Sequence, residues 1–230
     1  MSPQEVTYEH GLQQLLEFTE RPAEECTLLA LGHCPELAEL ALNMGIGHVE
    51  QEEEPRRLPI YQGRRPDMVV GHGVIDTVYC ISDMLADLLA FNPRMPMLFL
   101  APNLRRRRLV RRLHKEMAAA EPHHAQMRRD FIHKIYPDLD DERLDYWALH
   151  TRGLDYDDIM RAIDAESPNL LRDKHITCNP ESGRWHHRLL PLDEYSQLLA
   201  PYGYRLNVEY GFPPRRPWRS DTILLYMTRK

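Results

Sequence analysis

The stretch Pro66-Asp67-Met68-Val69-Val70-Gly71-His72-Gly73-Val74-Ile75-Asp76-Thr77-Val78 contains a short apolar run that stops on Gly-His-Gly. A run this short, apolar without alternation and closed by glycine, is typical of a strand buried on both faces, as in a parallel sheet. Two neighbours read the same way. Upstream, Cys26–Leu31 is a continuous apolar run bounded by Gly32, and Pro35–Leu42 follows with Leu37, Leu40 and Ala41 on one helical face. Pro35 suits a first helical turn and Gly45 a position just past the last one, so strand, turn and helix open a βαβ unit. Downstream, residues 76–91 fit a helix with Val78, Ile81, Leu85, Leu88 and Leu89 inward, and Met95–Ala101 is a further buried strand closed by Pro102-Asn103.

Between these pieces Ile46–Glu50 reads as a short strand ending in acid, and residues 51–66 are polar, broken by Pro55, Pro59, Gly63 and Pro66. Leu12, Leu15, Leu16 and Phe18 fit a leading helix that Arg21-Pro22 ends. From Asn103 to about Asp173 the strand signal disappears. Four helices are expected there, marked by Leu109 to Met117, Phe131 to Ile135, Leu144 to Ala148 and Ile159 to Ile163. Leu192–Pro201 then reads as a helix, and Tyr204–Tyr210 and Thr222–Thr228 as strands. Short strands alternating with helices predict an α/β fold, a mostly parallel sheet with helices on both faces. The organisation expected is a single domain over 1–230, carrying a helical insertion over 104–173.

Composition bounds the function classes. The chain has 230 residues, 29 Lys and Arg against 35 Asp and Glu, and a formal charge of −6, which argues against a general nucleic-acid coat. No apolar run approaches the roughly 20 residues of a membrane span, and residues 1–20 lack the features of a signal peptide. Cys26, Cys34, Cys80 and Cys178 are scattered without a C-x-x-C pair, the pattern of reduced thiols in a cytoplasm.

The order of these pieces resembles the class I S-adenosylmethionine-dependent methyltransferases. Residues 66–78 are similar to that family's fourth strand and its following loop, Leu98–Asn103 to its fifth strand, and His187–Tyr204 to its late helix before the sixth strand. The resemblance implies a Rossmann-like methyltransferase fold, S-adenosylmethionine as cofactor and a small-molecule acceptor. It implies that Gly32, His33, Gly71 and Gly73 lie beside the cofactor, and that Glu50 ends the second strand and accepts from the ribose hydroxyls. Two departures from the family bear on it. The turn after the first strand, Leu31-Gly32-His33-Cys34-Pro35, keeps a single glycine, and residues 51–66 are too few for the helix and strand the family fits there. Both departures favour the alternative, a methyltransferase-like subunit that has lost the cofactor and serves as a binding or scaffold partner.

Methyl transfer needs an acceptor held in line and, for a hydroxyl, a base. His72 is the first such base, because open parallel sheets bind ligands beyond the carboxyl ends of their strands. His187, before the late helix, is the second. A loop histidine bonded only to backbone is the plainer reading of His72. The adjacent pairs His123-His124 and His186-His187 do not present two rings to one ion in regular structure, so no metal site is assigned. Arg105–Arg112 places six arginines in eight residues, a surface for a phosphorylated acceptor, a nucleic-acid backbone or an acidic protein partner. Pairing with the acidic stretch Asp138–Asp145 inside the same insertion is the better-supported use. Residues 147–163 have helix–turn–helix spacing, but Asp155, Asp157 and Asp158 in the second helix's first turn repel phosphate. A cover over the acceptor, or a contact for another subunit, suits that unit better than DNA.

Overall fold

The computed structural model describes residues 3–32, 34–53, 58, 60–75, 78–103, 107–170, 192–211 and 222–229. The elements run α1 (Pro3–Thr19), β1 (Thr27–Leu31), α2 (Pro35–Asn43), β2 (His48–Glu52), β3 (Met68–His72), α3 (Ile81–Phe91) and β4 (Met97–Pro102). They continue with α4 (Arg107–Ile135), α5 (Asp141–His150), α6 (Tyr156–Asp164), α7 (Leu192–Leu199), β5 (Tyr204–Glu209) and β6 (Thr222–Arg229). The strands form one sheet in the order β2-β1-β3-β4-β6-β5. The first four are mutually parallel, and β6 runs antiparallel to both of its neighbours. The architecture is a Rossmann-like α/β sheet with helices on both faces and extra helices after β4.

Alternation sorts the apolar strand residues onto two faces. Leu28, Ala30, Met68, Val70, Leu98 and Leu100 pack with Tyr8, Leu12 and Leu15 of α1 and with Leu37 and Ala41 of α2. Leu29, Leu31, Val69, Met97 and Phe99 pack on the other face with Ile81, Leu85 and Leu88 of α3 and with Tyr195 and Leu199 of α7. All five residues of β1 are buried, which is why the run reads as continuously apolar rather than alternating. Each such side chain removed from water contributes about 1.5–3 kcal/mol, so the two layers hold the sheet half together. Gly11 lets α1 lie close: a Cβ there would stand 2.4 Å from a Leu98 methyl.

Several boundaries differ from the sequence expectation, each for a local reason. The leading helix is longer, and its inward stripe is Tyr8, Leu12 and Leu15, with Phe18 turned to solvent. β2 runs to Glu52, two residues beyond Glu50, because its partner β1 continues to Leu31 and the register matches Leu29 with Glu50 and Leu31 with Glu52. The two expected helices around Leu109–Met117 and Phe131–Ile135 are one helix, α4, which passes through Pro122 without ending.

The helices α4, α5 and α6 have an apolar cluster of their own: Ile132, Leu144, Trp147, Ala148, Leu154, Ile159, Ala162 and Ile163. Beside it Arg128 is fully buried, its Nε donating to the Ala148 carbonyl at 2.8 Å and an Nη to Glu121 at 2.8 Å. Asp140 and Asp155 cap α5 and α6, each accepting from the backbone N–H three residues on. The acidic stretch is paired locally: Asp141 and Asp145 both accept from Arg129. Among the residues 105–112 Arg111 has a described side chain, and it is exposed. No described helix is long and apolar enough to cross a membrane.

Candidate functional site

From β1 the chain goes to β2 on one side, then returns to place β3 on the other side of β1. The strand order therefore reverses between β1 and β3. In open α/β sheets ligands bind outside the carboxyl ends of the strands at such a switch point. The residues standing there are Gly32, just after β1, and Gly71, His72 and Gly73, at the end of β3.

Gly32 has φ +84°, and its N–H donates to the Glu52 carbonyl at 2.9 Å. A Cβ on Gly32 would lie 2.7 Å from a Val74 methyl and 2.9 Å from the His72 carbonyl oxygen, so only glycine lets the two strand-end loops approach this closely. Gly73, at φ +63°, donates to the Leu100 carbonyl at 3.0 Å, and nothing lies within 4 Å of where its Cβ would be. Gly71 is packed from beneath, where a Cβ would stand 2.6 Å from the Phe99 ring. One loop is thus sealed by protein and the other opens beside it.

His72 is half-buried. The hydroxyl of Tyr8, a fully buried side chain on α1, is hydrogen-bonded to its Nδ1, and the two rings meet edge-on with centroids 5.5 Å apart. A second tie seats α1 further along: His10 Nε2 lies 2.9 Å from Glu209 on β5, and Tyr226 donates to the same carboxylate at 3.3 Å. Tyr8 is not legible as a site residue from the sequence. Its helical spacing to Leu12 and Leu15 marks it as inward-facing, but nothing local announces a partner 64 residues away.

Glu50 lies on the α3 face of β2, and its carboxylate is engaged by the polar segment that follows. The Tyr61 hydroxyl donates to Oε2, and the Arg64 backbone N–H donates to Oε1 at 2.9 Å. Tyr61 also packs its ring on Phe91 of α3, centroids 5.3 Å apart. Burial, then the bond to Glu50, pushes the Tyr61 phenol well above its ordinary range. This segment stands where the sequence has no room for a further helix and strand, and among its described residues no strand adds to the outer edge of β2. The acid at the end of β2 is Glu52, in register with Leu31 and joined to Gly32 through its carbonyl. The run of glutamates at 52–54 hides that strand end from sequence reading.

Cys34, next to Gly32, is buried with its thiol against the Leu31 and Gly32 carbonyls. Burial pushes it up to about 11, so at neutral pH it is a protonated thiol rather than a nucleophile. Asn103, just past β4, is buried at the same end of the sheet. His33 and His187 lie outside the described residues. The His123 and His124 rings are 5.6 Å apart, and no group of three metal-ligating side chains forms among the described residues.

Neither a protein-family model nor a curated protein matches this chain. Solved structures do. Haemonchus contortus phosphoethanolamine N-methyltransferase 2, in complex with S-adenosyl-L-methionine, is 12% identical over 46% of this chain, with a TM-score of 0.33. The chain spans only 25% of that enzyme's length. The plantazolicin methyltransferase BpumL, in complex with a pentazolic desmethylPZN analog and S-adenosylhomocysteine, is 9% identical over 99% of this chain and 84% of its own, TM-score 0.40. A Listeria monocytogenes protein assigned to the S-adenosylmethionine-dependent methyltransferases is 13% identical over 99% and 98% of the two chains, TM-score 0.42. At such identities and TM-scores these likenesses carry no argument about activity, and the fold assignment rests on strand order and register.

Proposed function

We propose that this chain is a methyltransferase-like enzyme that moves a methyl group from S-adenosylmethionine to a small-molecule acceptor at the carboxyl ends of β1 and β3. The observation that carries the reading is the Tyr8–His72 pair at the switch point of the sheet. A fully buried phenol reaching from another element to fix one imidazole nitrogen is more than a loop histidine needs. For Nε2 to take a proton from an acceptor hydroxyl or amine, Nδ1 must carry the ring hydrogen, and the Tyr8 oxygen accepts it there. Tyr8 thereby holds the ring orientation, and the basic tautomer is the one in which its oxygen accepts from Nδ1–H. His187 is the second base this reading admits.

The backbone offers the cofactor room at Gly73, where nothing lies within 4 Å of a Cβ position, whereas the room at Gly32 and Gly71 is taken by Val74, the His72 carbonyl and the Phe99 ring. His33 belongs to the same turn. The carboxylate of Glu50 already accepts from the Tyr61 hydroxyl and the Arg64 N–H, one bond on each oxygen, so those donors compete there with ribose hydroxyls. Glu52, at the strand end, is the acid this reading gives to the ribose hydroxyls. The cofactor, when bound, supplies an electrophilic methyl group on a sulfonium. The unit α4–α6 then covers the acceptor.

Glu50 also favours a second reading, a subunit in which protein contacts have replaced cofactor contacts and α4–α6 meets a protein partner. Calorimetric titration with S-adenosylhomocysteine separates the two. The enzyme reading expects saturable one-site binding at micromolar affinity, weakened at least tenfold by Glu52→Gln and little changed by Glu50→Gln, a loss of about 1.4 kcal/mol or more. An absence of binding at millimolar ligand would end the enzyme reading.

A further inference from the structure

The helices α4, α5 and α6 enclose a core separate from the two layers on the sheet, and the described apolar residue from outside residues 131–163 that packs on that core is Tyr79. Tyr79 belongs to the segment that leaves the switch point: Gly73 and Val74 follow His72, Val78 N–H turns back onto the Val74 carbonyl at 2.8 Å, and Cys80 immediately precedes α3. Val74 is the residue against Gly32. The phenol of Tyr79 meets the first turn of α6 twice. It donates to Asp158 Oδ2 at 2.6 Å and accepts the Asp155 N–H at 3.1 Å. Asp158 is itself buried, its other oxygen 3.3 Å from Arg161.

A buried carboxylate at a helix N-terminus, tied to a phenol from another part of the fold, is a specific and costly arrangement. Asp155 already caps α6 from within, so the helix does not need Tyr79 in order to begin. What the Tyr79 contact adds is attachment. We infer that Tyr79 is a positioning residue that pins the α4–α6 unit to the loop after β3, so that this unit seats and unseats as a body on the segment carrying His72 and Gly73. Val74 and the turn to Val78 join the pin to the switch point, so a ligand settling beside Gly73 bears on the seating of α6. The use of the unit as an acceptor cover rests on the proposed function; the pin itself rests on the contacts alone.

Hydrogen–deuterium exchange on the full chain tests it. In Tyr79→Phe the ring keeps its packing and loses both hydrogen bonds. Amides of residues 141–164 should then exchange about tenfold faster, the fold-change that a lost hydrogen bond to a charged group brings to local opening. Those of β1, β3 and β4 should keep their rates. Unchanged uptake over 141–164 would overturn the inference, and so would an increase shared equally by the strands, which would make Tyr79 an ordinary contributor to global stability. If Tyr79→Phe does not fold, Asp158→Ala removes the acceptor from α6 and leaves the tyrosine in place. The same amides are then followed, with faster exchange confined to 141–164 expected and either of the other two patterns overturning the pin. A chain that binds no S-adenosylhomocysteine would end the enzyme reading while leaving the exchange result standing, so the two failures are distinguishable.

Discussion

The sheet half and the α4–α6 unit bury their side chains by different means. Around the sheet, apolar residues from β1, β3, β4 and β6 meet α1 and α2 on one face and α3 and α7 on the other, and each layer runs unbroken from β1 to β6. In α4–α6 one small apolar cluster is supplemented by buried polar groups, among them Arg128, Thr151 and Asp158. A continuous two-sided core makes the sheet half one cooperative block. A small core closed by polar ties makes the helical unit a body that can open alone. Under the proposed function, the difference sets the carboxyl ends of β1 and β3 on a rigid floor beneath a cover of lower stability, the division of labour that lids require.

The largest expected effect separates the two bodies. Phe99, fully buried beneath Gly71, and Trp147, nearly so within α4–α6, are each worth roughly 3–5 kcal/mol on truncation to alanine. Phe99→Ala should shift the whole urea transition. Trp147→Ala should instead produce an early transition followed by a main one at the wild-type midpoint, read by circular dichroism and by exchange over residues 107–164. A single shifted transition in both variants would erase the distinction between the regions.

The same contrast explains what the sequence makes legible. Cys26–Leu31, Asp67–Val70 and Met95–Ala101 are readable as parallel strands because residues buried on both faces leave a continuous apolar run. The end of β2 is not, because an edge strand carries only half that signal; in His48–Glu52 Val49 alone is apolar. The floor of the site follows from the strand ends: Gly32, Gly71, His72 and Gly73 can be placed by position. Its polar partners cannot. Tyr8 meets His72, Tyr61 meets Glu50 and Tyr79 meets Asp158 across separations that no local period encodes, and in each the partner is a tyrosine, whose ring reads as ordinary packing. The same blindness affects charge. The acidic stretch 138–145 suggests the arginines at 105–112, of which only Arg111 has a described side chain, while Arg129, which the sequence does not single out, takes Asp141 and Asp145.

A second prediction sharpens the rigidity of the sheet half through pH. Tyr204, nearly inaccessible at the start of β5, donates to the Met95 carbonyl at 2.8 Å, and burial pushes its phenol up to about 12. The unfolded chain releases that proton near its ordinary value of about 10. Between the two values the unfolded state binds fewer protons than the folded one, so stability falls as pH rises. The contribution is complete below pH 10 and is lost as pH climbs through about 12, an amount of roughly 3 kcal/mol for this group. Denaturation midpoints measured from about pH 9 to about pH 12 should therefore decline, and Tyr204→Phe should flatten part of that decline. An identical slope in the variant would mean that β5 frays and ionises Tyr204 before the sheet unfolds.

The smallest effect belongs to the surface of the helical unit, and its smallness is informative. Arg129 bonds Asp145 at 2.8 Å and also Asp141, which draws the guanidinium pKa upward through those two bonds, yet both carboxylates stand in solvent and the arginine is only half-buried. Exposed pairs of this kind gain little, because water screens the attraction and two long side chains must be held still. Their geometry nonetheless fixes how α5 lies along α4, since one arginine spans one turn of the facing helix. Arg129→Ala should lower the denaturation midpoint slightly at low salt and not at all at roughly 1 M salt, where the Debye length is about 3 Å. It should leave exchange in β1, β3 and β4 untouched. A shift that persists at high salt would show that Arg129 acts by packing its methylene stem rather than by charge. The ties of the helical unit would then be apolar throughout, and its contrast with the sheet half would narrow to one of size.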